Sequence, residues 1–204
     1  MSQKKIVILG INWEQNSTAS LMINGKIIDV TSEERFSKIK NDETYPKKAI
    51  DWILKNNNIS PGDINFVSFI SKVWSPTYPL IRHYTGFSIQ DYINEQQNIW
   101  FKNIYQNKKI SFLNYYKKKI DFSQYPGKVF WKEKIKKIKN KSDHLSNKSM
   151  IKFGQQVRTD VVVKHLGVKR DIVEFIDHSE GHSAYAYFSG NQCNEKSLVL
   201  TLDA

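Results

Sequence analysis

Cysteine is almost absent from this 204-residue sequence: Cys193 stands alone, so neither an intrachain disulfide nor a thiolate metal cluster can form. Long hydrophobic runs are missing too. Met1-Ser-Gln-Lys-Lys leads straight into Ile6–Leu9, too short for a signal-peptide core. Nothing later approaches the roughly 18 apolar residues of a membrane span. These absences predict a soluble, cytoplasmic protein with no membrane partner. No internal repeat is visible. Acidic residues are scarce in one window only: residues 101–150 carry 14 Lys against three acidic side chains, Asp121, Glu133 and Asp143. That window holds the whole net charge of +11, and the remainder is neutral. What is present, 40% hydrophobic and 13% aromatic residues, is enough for a sizeable core and too much for disorder throughout.

The first 70 residues read as strands and one helix. Lys5–Ile11 and Thr18–Ile23 are β-branched runs, and Asn24-Gly25 is a hairpin signal before a third run, Lys26–Thr31. Tyr45-Pro46 opens a helix to about Lys55, with Ala49, Ile50, Ile53 and Leu54 as its apolar stripe. After Ser60-Pro61-Gly62, Ile64–Ile70 reads as a buried strand. Three meandering strands, a helix and another strand point to a layered α/β domain. Residues 72–150, rich in Lys, Asn, Tyr, Phe and Trp without a steady period, read as a mainly helical, Lys-rich insertion, with its heaviest run at Lys132–Lys141. The expected organisation is one domain from 1–71 and 151–204, interrupted by 72–150. In the last part, Gln155–Leu166 is expected as a helix and Asp171–Ile176 as a strand. His178–Phe188 is expected as a helix burying Ala184, Tyr185 and Phe188, and Ser197–Leu202 as a buried strand ending at Asp203. A chain stopping directly after such a strand is expected to be a partial gene product.

The chemistry concentrates in Asp177-His178-Ser-Glu180-Gly181-His182. Histidines four apart on a helix share a face, and two imidazoles suit iron, zinc or manganese, a carboxylate commonly completing the set. Asp203, at the carboxyl end of the following strand, is the candidate third ligand. The competing reading makes His178 a helix cap and Asp203 a turn residue. His83, His144 and His165 have no partner at ligand spacing and read as surface or packing residues. His-Glu-x-x-His is not met, which argues against peptide hydrolysis.

Two further segments are candidates. Gly10-Ile11-Asn12 and the polar loop Trp13–Thr18 can present backbone N–H groups and short polar side chains to phosphate, or form an ordinary hairpin loop. Ser32-Glu33-Glu34-Arg35-Phe36-Ser37-Lys38-Ile39-Lys40 offers Arg35, Lys38 and Lys40 as an oxyanion clamp, or as a self-paired charged turn.

Together these segments resemble the carbamoyltransferases that O-carbamoylate antibiotics and nodulation factors. The family's opening Ile-Leu-Gly-Ile-Asn, followed by His-Asp-Ala-Ser-Ala-Ala-Leu and Asp-Gly-Lys, aligns with Ile8–Lys26 without a gap. Its Glu-Glu-Arg-Phe-Ser-Arg-x-Lys, Pro and Ala-Ile are matched by Glu33–Lys40, Pro46 and Ala49-Ile50, and its His-x-x-x-His and Leu-Thr-Leu-Asp by His178, His182 and Leu200–Asp203. The resemblance covers 5–70 and 151–204. It implies an actin-like ATPase (ribonuclease H-like) core, of which this chain holds roughly the first lobe. It also implies a separate carboxyl-terminal domain making carbamoyl-adenylate from ATP and carbamoyl phosphate, and transfer of the carbamoyl group to the hydroxyl of a small-molecule acceptor, a sugar or secondary metabolite. The resemblance further implies a divalent metal, held by His178, His182 and Asp203 with a later aspartate, that grips the nucleotide phosphate. Asn12, Arg35, Lys38 and Lys40 are the candidate substrate- or phosphate-binding residues.

Two departures matter. The catalytic His-Asp of the family is Gln15-Asn16 here, and glutamine cannot take a proton near neutral pH. The family's His after the basic turn is Asn41. The metal positions are intact while the acid–base positions are altered, and this stretch alone is expected to be inactive. Two rivals stay in view. His178-Ser-Glu180-Gly181-His182 is also similar to the metal-binding subunit that makes threonylcarbamoyladenosine in tRNA. A nucleic-acid-binding relative would use the lysines of 101–150 with Tyr105, Tyr115, Tyr116, Phe130 and Trp131. Asn/Lys-rich insertions also arise from AT-rich genomes, so nucleic acid is not the expected partner.

Overall fold

Alternation builds the sheet. Val7, Leu9 and Ile11 are buried while their neighbours are half-buried, and Ala19 and Leu21 repeat the pattern on the next strand. In the computed structural model, which describes residues 5–74, 81–82, 85–119, 148–190 and 195–202, these runs form β1 (Val7–Asn12) and β2 (Thr18–Ile23). The Asn24-Gly25 turn, both residues at positive φ (50° and 78°), leads to β3 (Lys26–Ser32). The hairpins predicted from sequence are therefore present. A short helix α1 (Glu34–Ser37) follows, then α2 (Lys47–Asn56), which buries Ala49, Ile50, Ile53 and Leu54 as expected. β4 (Phe66–Ile70) begins two residues later than predicted.

The strands form one five-stranded sheet in the order β3-β2-β1-β4-β5, β5 being Val173–Ile176. β1–β2 and β2–β3 are antiparallel, and β1–β4 and β4–β5 parallel. Helix α6 (Lys148–Leu166) precedes β5 and starts earlier than predicted; α7 (His178–Ser189) follows it. The fold is thus mixed α/β. Residues 1–74 and 155–204 make one compact unit and 75–154 another.

The described part of the second unit is helical: α3 (Ile89–Asn94), a π-helical turn Glu95–Trp100, α4 (Phe101–Tyr105) and α5 (Phe112–Tyr116). Ile99, Phe112, Leu113 and Tyr116 are buried there, and the buried Glu95 carboxylate accepts from the Trp100 indole at 2.7 Å and from Arg82 at 3.2 Å. The Lys132–Lys141 run lies outside the described residues. No described helix is long and apolar enough to cross a membrane.

Two expectations fail. Ser197–Leu202 forms no strand, and Leu198, Leu200 and Leu202 are 98%, 78% and 89% exposed. The outer edge of β5, last in the sheet order, is unpaired among the described residues, and 197–202 are not laddered onto it. Ala184, Tyr185 and Phe188, expected on a buried face of α7, are exposed. An apolar helix stripe is buried only by an opposing layer, and no described element lies across it.

Candidate functional site at the carboxyl edge of the sheet

The strand register defines one edge. Ser32 pairs with Thr18, Thr18 with Asn12, Asn12 with Ile70, and Ile70 with Ile176. The parallel strands β1, β4 and β5 all end on this row, and the segments that follow them carry most of the candidate residues. Carboxyl ends of strands are where open α/β sheets bind ligands.

At the β5 end, Asp177 caps α7. Its side chain accepts from the Ser179 amide at 3.0 Å, and Glu180 accepts from the Asp177 amide at 3.2 Å. Asp177, not His178, is therefore the cap. Gly181 faces β4: a β-carbon there would collide with the Ile70 side chain, so glycine permits the close approach of helix to strand. His178 and His182 lie on one helix face as their spacing predicted. Their Nε2 atoms are 3.0 Å apart and their ring centroids 4.6 Å. Two nitrogens at that separation can occupy neighbouring positions on one cation with bonds of about 2.1 Å, so the donor set fits a borderline metal. His182 is exposed and His178 half-buried. Among the described residues no group of three or more His, Cys, Asp or Glu side chains gathers, and Asp203 lies outside the described residues.

At the β1 end, the Trp13–Ser17 loop carries the other catalytic candidates. Gln15 is exposed, and Asn16 has a left-handed backbone (φ 56°), which asparagine tolerates. Asn12 Nδ2 reaches the Gln15 carbonyl at 3.5 Å. The Oδ1 atoms of Asn12 and Asn16 are both buried without a hydrogen-bond partner. Each unmet acceptor costs about 1–3 kcal/mol, so a donor brought by a ligand has something to gain there.

At the β3 end, the cations are largely occupied by their own turn. Lys40 pairs with Glu34 at 3.3 Å, Lys38 Nζ donates to the Arg35 carbonyl at 2.9 Å, and Arg35 is exposed. Glu34 also accepts from the Asn41 amide at 2.9 Å; that bond and Lys40 hold its pKa below the usual carboxylate value. Glu33 is buried and accepts from the amides of Ala49 (2.8 Å) and Lys48 (3.3 Å), closing the amino end of α2. Burial raises its pKa, against the two amides. From β3 to β5 runs four inter-strand spacings, about 19 Å. The cations follow β3 and the histidine pair follows β5, the two outer strands of the order, while Asn12, Gln15 and Asn16 lie at the end of the central β1.

Sequence reasoning missed Arg158. Its guanidinium is buried, donating to the carbonyls of Ser71 (2.7 Å) and Lys72 (3.3 Å) just beyond β4. The rings of Phe175, Trp74 and Phe69 surround it at 4.6, 5.1 and 5.5 Å. Burial brings its pKa down to about 9, the Glu14 carboxylate opposing, so it stays charged at neutral pH. The available signal was its place one, three and four residues from Val157, Val161 and Val162, on the apolar stripe of the helix. A cleft of about 400 Å³ lined by Pro61, Asn65, Leu166, Val168 and Ile172 lies at the opposite edge, where β4 and β5 begin, away from all of these residues.

The sequence profile described as "Carbamoyltransferase N-terminus" matches residues 7–204. The chain belongs to that family. Family membership makes it part of a carbamoyl-transferring lineage. Among relatives, it is 42% identical over 62 residues to the uncharacterized protein MJ1051 of Methanocaldococcus jannaschii, covering 30% of this chain and 12% of that one. It is 30% identical over 82 residues to the uncharacterized protein sll1178 of Synechocystis, covering 40% of this chain and 13% of that one. The match thus spans only about an eighth of the length of either relative.

Proposed function

We propose that this chain is the metal-holding amino-terminal part of an O-carbamoyltransferase, acting on a hydroxyl of a sugar or secondary metabolite. Carbamoyl-adenylate, made from ATP and carbamoyl phosphate by a carboxyl-terminal domain of a longer protein, is the donor. The observation that carries the reading is the imidazole pair at 3.0 Å on the carboxyl edge of the sheet of a family member. The order β3-β2-β1-β4-β5, a meander beside two parallel strands, supports an actin-like first lobe.

His178 and His182 would hold an iron, zinc or manganese ion, with Asp203 as the expected further ligand. Such an ion, when bound, supplies Lewis acidity and neutralises charge on the adenylate leaving group. The chain's own residues bind and orient. Asn12 and Asn16 offer two unmet amide oxygens to the donors of a substrate, an amide N–H or a hydroxyl. Gln15 can orient the acceptor hydroxyl by hydrogen bonding but cannot take its proton, so the general base is a different group. Arg35, Lys38 and Lys40, in the segment that follows β3, would meet an anionic group of a substrate. The tRNA-modifying rival rests on Glu180 and Gly181. Glu180 is engaged in the cap and lies 3.9 Å from Lys72, and Gly181 meets Ile70, so both residues are accounted for within the fold.

The test is equilibrium dialysis, with manganese, zinc or ferrous ion, of a version extended to the length of its relatives, followed by metal analysis. About one ion per molecule, lost in His178→Ala and His182→Ala, supports the reading; no bound metal in the unsubstituted extended version overturns it. In a version extended to the length of its relatives, carbamoylation of a hydroxyl acceptor should require both ATP and carbamoyl phosphate.

A further inference from the structure

His165, near the end of α6, reads from sequence as a packing or surface residue; the structure makes it the centre of a hydrogen-bond chain. Its Nδ1 is 2.9 Å from the Tyr45 hydroxyl and its Nε2 2.7 Å from Asp51 Oδ1, with the Tyr45 and His165 rings edge-on at 5.5 Å. Only 10% of the His165 side chain is exposed. A neutral imidazole satisfies all three groups, accepting the Tyr45 O–H at Nδ1 and donating Nε2–H to Asp51. Asp51 is fixed from its other side by Lys47 at 2.6 Å. Beyond Tyr45 the contacts continue to the β1–β2 loop. The Tyr45 and Trp13 ring centroids are 5.1 Å apart, the Trp13 indole donates to the Glu43 carbonyl at 3.1 Å, and the Ser17 amide donates to the Asp42 carbonyl at 2.7 Å. The segment 42–45 therefore grips both ends of the loop that carries Gln15 and Asn16.

We propose that Asp51–His165–Tyr45 is a positioning device for the Trp13–Ser17 loop, with His165 as the positioning residue whose protonation loosens it. The proposal rests on reading that loop as part of the transfer site, but the device operates in the chain without substrate. When the ring gains a proton, both of its nitrogens become donors. The Tyr45 oxygen must then accept from Nδ1–H, and the tyrosine hydrogen is turned away from its former partner into partly buried surroundings, a position costly for an unpaired donor. The charged and titratable groups facing the chain are Asp51 and Lys47 from α2, Tyr45 ahead of it and Glu33, whose charge reaches Tyr45. Burial, opposed by Asp51, lowers the His165 pKa, so the ring is neutral near pH 7.

The experiment follows the His165 ring proton and the Trp13 indole N–H of the 204-residue chain by NMR between about pH 5 and 8. The Trp13 signal should move with the midpoint of His165. Tyr45→Phe, which keeps the ring contact and cuts the hydrogen bond, should leave the His165 titration in place and flatten the Trp13 response. A Trp13 signal that ignores His165 in the parent chain, or still follows it in Tyr45→Phe, overturns the proposal. Because the readout needs neither metal nor carbamoyl transfer, its failure is separate from failure of the functional reading.

Discussion

The guanidinium of Arg158 donates to the carbonyl oxygen of Ser71 at 2.7 Å, across 87 residues of sequence, and so ties helix α6 to the carboxyl end of β4. Arg158→Met keeps the bulk among Phe69, Trp74 and Phe175 but strands the two carbonyls the fork now serves. The loss should be about 2–4 kcal/mol, read by urea unfolding, and Arg158→Lys should restore only part of it, having no planar fork.

Removal of either imidazole should weaken manganese or zinc binding by at least about tenfold, or about 1.4 kcal/mol. Isothermal titration on His178→Ala and His182→Ala chains measures this. Far-ultraviolet circular dichroism should stay unchanged, because α7 is capped by Asp177 and Glu180, which neither substitution touches.

Replacing Arg35, Lys38 and Lys40 together with Gln should leave that metal affinity within about twofold. Lys40 is paired with Glu34 within its own turn, and exposed charges are screened with a Debye length of about 8 Å at physiological ionic strength. A larger change in the same titration would mean that the two ends of the edge form one site.

Glu33→Ala should cost about 1–2 kcal/mol in thermal unfolding, by freeing the Ala49 and Lys48 amides at the start of α2. The pH dependence has a definite sign. Burial raises the folded pKa of Glu33, so the folded state holds the proton more tightly than the unfolded chain does. That share of stability is present below the ordinary carboxylate range and is lost as pH rises through the raised value. In Glu33→Gln this component should vanish from the profile of Tm against pH.

His165 has the opposite sign. Its folded pKa is lowered by burial, so its share of stability is full above the unfolded value of about 6.5 and is lost as pH falls from there through the depressed folded value. Subtracting the profile of His165→Phe from that of the parent should isolate a drop confined to that window.

How far the sequence carried depended on distance along the chain. β1, β2, β3 and α2 were legible because alternation, Asn24-Gly25 and a four-residue apolar stripe are local patterns. The shared face of His178 and His182 was legible for the same reason, helical spacing alone setting it. His165 packs, as one of its two readings had it, but its hydrogen bonds were not legible because its partners, Asp51 and Tyr45, lie 114 and 120 residues away. The leucines of 197–202 were misjudged because a β-branched or apolar run becomes a strand only when a neighbouring edge takes its hydrogen bonds.

By itself, then, the sequence determined the local periodicities, the family and the spacing of the two imidazoles. Tertiary structure alone decided that Ser32, Thr18, Asn12, Ile70 and Ile176 share one edge, that a buried arginine ties α6 to the end of β4, and that a histidine on α6 joins Asp51 to Tyr45. Register, burial and long-range hydrogen bonds are properties of pairs of segments, and no single stretch of sequence contains both members of a pair.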